Sequence, residues 1–187
     1  ECDVLAQNDI YKSFDYHSKF NADSYDSFIQ NMNKNFSAIN LDLKNGDFLF
    51  LTFGTAWVYR IIASNQVVAN CHKVPQSEFV KELLDLNDLI EIYSKLINRI
   101  IEKNPKLKIV VTVSPVRHIK DGIVENNQSK SVLLLLCKAL SDDFKQNVLY
   151  FPSYEIQMDD LRDYRFYNQD LIHPNNTAID YIFEKFS

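Results

Sequence analysis

Near the end of the chain, an aspartate and a histidine have the types and spacing of a catalytic pair. Asp170 lies three residues before His173, and Pro174 follows at once, ahead of a last amphipathic segment. A carboxylate at this spacing can orient the imidazole through one ring nitrogen and stabilise its protonated form. The other ring nitrogen can then take a proton from a nucleophile. The alternative is a turn before a helix, in which Asp170 caps backbone amides and His173 is a surface residue.

Chemistry-bearing side chains also follow three apolar runs, at residues 48–53, 107–113 and 148–151. Each run is short and nearly continuous in hydrophobicity, which predicts a parallel strand covered on both faces. Ligands bind beyond the carboxyl ends of such strands. The predicted site therefore includes residues after the first strand and its hairpin (Gly54, Thr55, Asn70, His72), after the second (Ser114, Arg117, His118), and after the third (Arg162, Arg165, Asp170, His173).

Between the predicted strands, apolar residues recur at the spacing of amphipathic helices. Helices are predicted at residues 24–43, 86–101, 132–144 and 178–186, with Asn127 and Ser129 as caps of the third. In the first of these, the side chains expected to point inward are those of Phe28, Ile29, Met32, Phe36 and Ile39. Residues 57–62 and 66–70 flank Ala63-Ser64-Asn65 and predict a β-hairpin. The alternation predicts one α/β domain over residues 1–187, a sandwich with a mostly parallel sheet.

Composition excludes several classes of protein. The 187 residues are 46% hydrophobic with a net charge of −5, and basic residues form no stripe, which argues against nucleic acid or an anionic membrane as partner. The longest uninterrupted apolar run, at residues 132–137, is too short to span a membrane. Cys2, Cys71 and Cys137 are scattered and odd in number, unlike a disulfide framework or a zinc ribbon. Without a signal or membrane segment, a cytoplasmic location is favoured.

Several motifs in order resemble the GSCFA-domain family, a group of bacterial proteins related to the SGNH (GDSL-like) hydrolases. The resemblance covers nearly the whole chain. It rests on the segments at residues 53–59, 70–73, 114–118, 127–130 and 161–167, together with Asp170, His173 and Pro174. It implies a three-layer, flavodoxin-like sandwich, in which Asp170 and His173 correspond to the last catalytic block. The loop at Gly54 would take the place of an SGNH oxyanion-hole asparagine, and Asn70 is a candidate substitute from the hairpin.

The chain departs from the family pattern at its start. The Gly-Ser-Cys-Phe-Ala motif, whose serine would be the SGNH nucleophile, is not found in these residues, and the chain begins with Glu1 rather than Met. We therefore expect a piece of a longer protein, with the nucleophile upstream. An open apolar edge or groove on the first strand of the sheet is the structural sign to look for.

Other chemistry remains open at this point. Ser114 could be the nucleophile, although it lacks the Gly-x-Ser-x-Gly elbow. Cys71 and His72 could form a thiol–imidazole pair, although neighbours on an extended segment point to opposite faces. His72, His118 and His173 could bind a metal, although no ligand spacing supports one. Three arginines, Arg117, Arg162 and Arg165, could bind a carboxylate or phosphate of a substrate, or could pair with nearby acidic residues.

The leading hypothesis is an SGNH-like esterase or acyl-transfer domain with no metal or other cofactor. The upstream serine would attack an ester, His173 would be the general base, and backbone donors near Gly54 would hold the oxyanion. By analogy with relatives, the substrate would be an O-acyl ester, small or carried on a bacterial glycan. The alternative is a non-catalytic module that binds a carbohydrate or carboxylate in the same pocket. The sequence leaves the oligomeric state open.

Overall fold

The structure, a computed structural model, describes residues 4–7 and 9–187. Glu1 and Cys2, on which two of the expectations above depend, lie outside the described residues. The chain forms two compact units. The first comprises the described residues up to Asn45 together with Trp57–Leu83, and the second comprises Gly46–Ala56 and Leu84–Ser187.

Eight strands and five helices follow one another along the described chain. They are β1 (Leu5–Gln7), β2 (Ile10–Lys12), α1 (Tyr25–Asn45), β3 (Phe48–Phe53), β4 (Trp57–Ile61), β5 (Val67–Val68), β6 (Phe79–Leu83), α2 (Leu86–Lys103), β7 (Lys108–Val113), α3 (Ile123–Asp143), β8 (Val148–Tyr150), α4 (Ser153–Glu155) and α5 (Asn176–Phe186). The short α4 continues directly as a π-helical turn over Ile156–Asp160.

The first unit contains two antiparallel sheets and α1. Strands β1 and β2 pair with each other, and the second sheet has the order β5-β4-β6. The pairing of β4 with β5 confirms the predicted hairpin, and β6 adds a third strand that the sequence did not indicate. In α1, Phe28 and Met32 are buried, but Phe36 and Ile39 are exposed. The prediction that all of these residues point inward was therefore wrong for the second half of the helix.

The second unit is built on a parallel sheet of order β3-β7-β8. Its registers pair Phe48 with Lys108 and Ile109 with Val148. The three predicted strands are thus confirmed as parallel neighbours, and the fold class is confirmed as α/β. The central strand β7 is buried along almost all its length because it pairs on both sides and carries β-branched side chains.

Helices lie on both faces of this sheet. The Phe53 ring contacts Tyr93 of α2, and the Phe50 ring contacts Phe186 of α5, with ring centroids 5.0 and 5.5 Å apart. Side chains three apart on a strand point to opposite faces, so α2 and α5 cover opposite sides of β3. Helix α3 packs against both β7 and β8.

Strand β3 lies at one edge of the parallel sheet. In the described part of the chain it pairs with β7 alone, and Phe48 and Phe50 are 60% and 53% exposed. Helix α5 covers the face of Phe48 and Phe50 only in part, so the expectation that β3 is buried on both faces was wrong for that face. The expectation of an open, apolar edge describes it correctly.

Two helix starts differ from the sequence prediction. Helix α3 begins at Ile123, nine residues before residue 132, and Gly122 precedes it with φ of +112°. Asn127 and Ser129 therefore lie inside the helix and do not cap it. Helix α5 starts at Asn176, and the Asn175 side chain accepts from the amide of Ala178. Helix α2 is confirmed from Leu86 onward. No helix among residues 4–7 and 9–187 is long and apolar enough to cross a membrane.

Candidate functional site

Asp170 and His173 form a hydrogen-bonded pair in the second unit. The Asp170 Oδ2 atom lies 2.7 Å from His173 Nδ1. The His173 side chain is 57% exposed, and its Nε2 atom makes no hydrogen bond to any residue that the structure describes. This is the arrangement of a general base whose second nitrogen is free to accept a proton.

The backbone of the turn holds the carboxylate in place. Leu171 has φ of +55°, and the amides of Ile172 and His173 both donate to Asp170 Oδ1, at 2.9 and 3.1 Å. One carboxylate oxygen thus binds the backbone and the other binds the imidazole. The hydrogen bond from His173, followed by these two amides, lowers the pKa of Asp170 to about 2. Asp170 is therefore a carboxylate at neutral pH.

The loop after β7 is anchored to this turn. The Arg117 amide donates to the Ile172 carbonyl at 3.2 Å, and its guanidinium donates to the Leu171 carbonyl at 3.0 Å. The His118 amide donates to Asn126 Oδ1 at the start of α3. The predicted residues Arg117 and His118 thus lie beside the segment that carries Asp170 and His173.

Gly54 and Thr55 follow β3 and are held by α3. A Cβ atom on Gly54 would lie 3.5 Å from His118 Nε2, an ordinary van der Waals contact. Thr55 Oγ1 lies 3.0 Å from Ser129 Oγ, which also accepts from the Ala56 amide at 2.7 Å. The structure therefore brings the Gly54 loop, the Arg117–His118 segment and the Asp170–His173 turn together in one unit.

Lys130 is a component of this region that the sequence prediction missed. It is 2% exposed, and its Nζ atom donates to the carbonyls of Gly54 and Ser114, both at 2.7 Å. One ammonium thus joins the carboxyl ends of β3 and β7. Burial lowers the pKa of Lys130 to about 8. The residues around it are polar and predict a loop or a cap, so the only signal in the sequence was its place in the segment at residues 127–130, which is part of the family resemblance.

The other candidates in this unit have structural partners. Ser114 Oγ accepts from the Val116 amide at 3.2 Å and so closes a local turn. Arg162 pairs with Asp159 at 3.2 Å, and Arg165 pairs with Asp163 at 2.9 Å. Both arginines are therefore paired with acidic residues, as in the second of the two alternatives considered for them. Arg117 differs, because it has no carboxylate partner among the described residues.

Asn70, Cys71 and His72 belong to the first unit. The Asn70 Oδ1 atom accepts from the His72 amide, and His72 Nε2 lies 2.6 Å from the Ser13 carbonyl oxygen. His72 has φ of +48°, and burial raises the pKa of the Cys71 thiol. The proposed roles of Asn70 and His72 in an oxyanion or substrate site stay predictions.

A cavity of about 300 Å³ opens beside the turn, between the loop after β7, the start of α3 and the π-helical turn. We call it the α3 cavity. Its polar lining includes Arg117, Asn126, Lys130, Tyr154, Gln157 and Tyr167. In the part of the chain that the structure describes, no group of three His, Cys, Asp or Glu side chains is placed to hold a metal ion.

None of the curated proteins matches the chain. The sequence profile described as the GSCFA family matches residues 1–186. Since the match spans almost all of the 187 residues, the chain belongs to the GSCFA family.

Proposed function

We propose that the chain supplies the Asp–His pair of an SGNH-type ester hydrolase or acyltransferase. The observation that carries the proposal is the 2.7 Å contact between Asp170 and His173 Nδ1, with Nε2 unoccupied by any described residue. The carboxylate fixes the tautomer in which Nδ1 bears the proton, and Nε2 is then the basic nitrogen. The pair also lies with the loops that follow the parallel strands, where ligands of such sheets bind.

In the proposed reaction, a serine hydroxyl attacks the carbonyl carbon of an ester. His173 Nε2 takes the hydroxyl proton as the serine oxygen forms its bond, and Asp170 stabilises the imidazolium. Backbone amides near Gly54 would hold the oxyanion of the tetrahedral intermediate. Collapse of the intermediate releases the alcohol, which takes the proton back from Nε2. Water or a second alcohol then removes the acyl group by the same steps in reverse.

The serine is proposed to lie upstream of residue 1. No serine among the described residues hydrogen-bonds to His173. The open side of β3, with its exposed Phe48 and Phe50, can accept a further parallel strand. A strand there, ending beside the Gly54 loop, would extend the sheet toward the flavodoxin-like sandwich of SGNH enzymes. The flavodoxin-like sandwich is therefore part of the same proposal, and the open side of β3 supports it.

The proposed substrate is an O-acyl ester, of which an acylated bacterial glycan is one form. Three tyrosines around the α3 cavity provide flat apolar surfaces of the kind that sugars pack against. The second candidate, a carbohydrate- or carboxylate-binding module without catalysis, is favoured by this same cavity. The two candidates differ in whether His173 has a chemical role.

The experiment uses the protein with its upstream segment and an activated ester such as p-nitrophenyl acetate. His173→Ala is expected to lower turnover by about 10²- to 10⁴-fold, the usual contribution of a general base. The matched control is His17→Ala. His17 is an exposed histidine of the first unit, and its ring accepts one hydrogen bond, from the amide of Lys19. A serine-directed fluorophosphonate should label the upstream segment.

Equal turnover of the His173→Ala and His17→Ala proteins would refute a catalytic role for the pair. Turnover by residues 1–187 alone, dependent on His173, would instead place the nucleophile inside the chain, and Ser114 would be the residue to replace.

A further inference from the structure

The α3 cavity contains two cations that no acidic side chain neutralises. Arg117 and Lys130 both line it, and neither has a carboxylate partner among the described residues. The acidic residue in its lining, Asp163, is paired with Arg165. Arg162, the third cation of the lining, is paired with Asp159. The unpaired charge facing the cavity is therefore positive.

A second observation in the same cavity indicates a missing hydrogen-bond partner. Gln157 lines it and is 1% exposed, yet both its amide nitrogen and its amide oxygen lack a partner among the described residues. Buried amides are nearly always hydrogen-bonded, so an unpaired one requires an explanation. Gln157 lies on the π-helical turn Ile156–Asp160, and such turns occur frequently at functional sites.

The rest of the lining is suited to an organic molecule. Ile119, Ile123, Met158 and Leu161 supply apolar surface, and Tyr154 and Tyr167 supply aromatic rings. The Arg117 guanidinium lies 5.8 Å from the centre of the Tyr167 ring, within the range of a cation–π interaction. At about 300 Å³, the cavity has the volume of a small ligand pocket.

We propose that the α3 cavity binds a small organic carboxylate. Arg117 and Lys130 would bind the carboxylate oxygens, Gln157 would bind a hydroxyl or amide group, and the apolar wall would contact the carbon skeleton. A buried lysine that already donates to two carbonyls has one proton left for such a ligand.

The cavity also adjoins the catalytic pair through one residue. Arg117 lines it and donates to the carbonyl of Leu171, inside the turn that holds Asp170 and His173. If the proposed function is correct, the carboxylate belongs to the ester substrate, whose alcohol or acyl part would then be an acidic sugar or a similar acid. That assignment depends on the proposed function, whereas carboxylate binding itself does not.

The test is a calorimetric titration of the 187-residue chain with acetate, glucuronate, glucose and inorganic phosphate. Glucuronate is expected to bind more tightly than glucose, which differs from it by the carboxylate. Arg117→Gln is expected to weaken glucuronate binding by about tenfold or more, as for loss of a hydrogen bond to a charged group. The matched control is Arg99→Gln, which removes the same charge from an exposed position of α2 outside the cavity.

Gln157→Leu separates binding from folding. Leucine needs no hydrogen bond, so the free variant should melt at the same temperature as the wild type or higher, while glucuronate binding weakens by about tenfold. The proposal is overturned if neither carboxylate binds more tightly than glucose, if phosphate binds more tightly than both, or if Arg117→Gln or Gln157→Leu retains wild-type affinity. The titration requires no nucleophile, so its failure and a failure of ester hydrolysis are independent results.

Discussion

Replacing Lys130 by methionine tests how deeply its charge is buried. Lys130 is 2% exposed, and burial lowers its pKa from 10.5 to about 8. Between those two pH values the unfolded chain holds one more proton than the folded chain, so this residue makes stability rise with pH. Each pKa unit corresponds to about 1.4 kcal/mol, which gives a total gain of about 3 kcal/mol by pH 10.5.

The assay is urea unfolding of the wild type and the Lys130→Met variant at several pH values from 7 to 10.5. Other groups also make stability depend on pH in this range, among them Cys137. Its thiol has an ordinary pKa of 9.0, which applies in the unfolded chain, and burial raises that pKa to about 12 in the folded chain. The effects of these other groups cancel in the difference between the two proteins. The free energy of unfolding of the wild type is therefore expected to rise relative to that of Lys130→Met by up to about 3 kcal/mol.

Lys138→Met is the matched control, because Lys138 lies on the same helix with its side chain 71% exposed. Its curve should run parallel to that of the wild type. A wild-type curve that also runs parallel to that of Lys130→Met from pH 7 to 10.5 would refute the reasoning. The Lys130 ammonium would then be hydrated, and its two carbonyl contacts would not come at the cost of a buried charge.

Three further predictions concern the same unit. Asp170→Asn should lower ester turnover by about 10²- to 10⁴-fold in the protein with its upstream segment, because an amide cannot stabilise imidazolium; unchanged kcat would contradict this. Ser129→Ala should lower the free energy of unfolding in urea by about 1–3 kcal/mol, because it leaves the buried amide of Ala56 without a partner. The control Ser131→Ala, at an exposed position of the same helix, should change it by less than about 0.5 kcal/mol. Gly122→Ala should lower the free energy of unfolding by roughly 1–3 kcal/mol, because Gly122 has φ of +112°. Gly54→Ala should leave the free energy of unfolding unchanged or raise it by up to about 1 kcal/mol, since a Cβ atom there makes only an ordinary contact. Equal melting temperatures of the two variants would contradict the strain argument.

The parallel sheet could be predicted because its strands carry continuous β-branched and aromatic runs. The run at residues 107–113 is apolar at nearly every position, as a central strand requires. Strand β6 could not be recognised in the same way. Its residues Lys81 and Glu82 give it the composition of a surface loop, and only pairing with β4 makes it a strand.

The pair at Asp170 and His173 could be predicted from local spacing because three residues of chain fix its geometry. The start of α3 could not, because Asn126, Ser129 and Lys130 are polar residues that this helix buries. Local pattern assigns such residues to a loop or a cap. The partners of Ser129 and Lys130, Ala56 and Gly54, lie 73 and 76 residues away in the sequence. The partner of Asn126, His118, lies in the loop before the helix. Only the tertiary fold therefore explains why these polar side chains lie inside.

The left-handed backbone at Leu171 has a consequence for protein design. Its φ of +55° lets two successive amides reach one carboxylate oxygen while the other oxygen remains for the imidazole. A non-glycine residue adopts this conformation at a cost, so a host loop would need glycine or asparagine there, or comparable anchoring. Grafting the two side chains alone onto a new scaffold would therefore not reproduce the pair. The smallest transferable unit is the turn from Asp170 to Pro174 together with a donor in the position of Arg117, which holds the carbonyls of the two intervening residues.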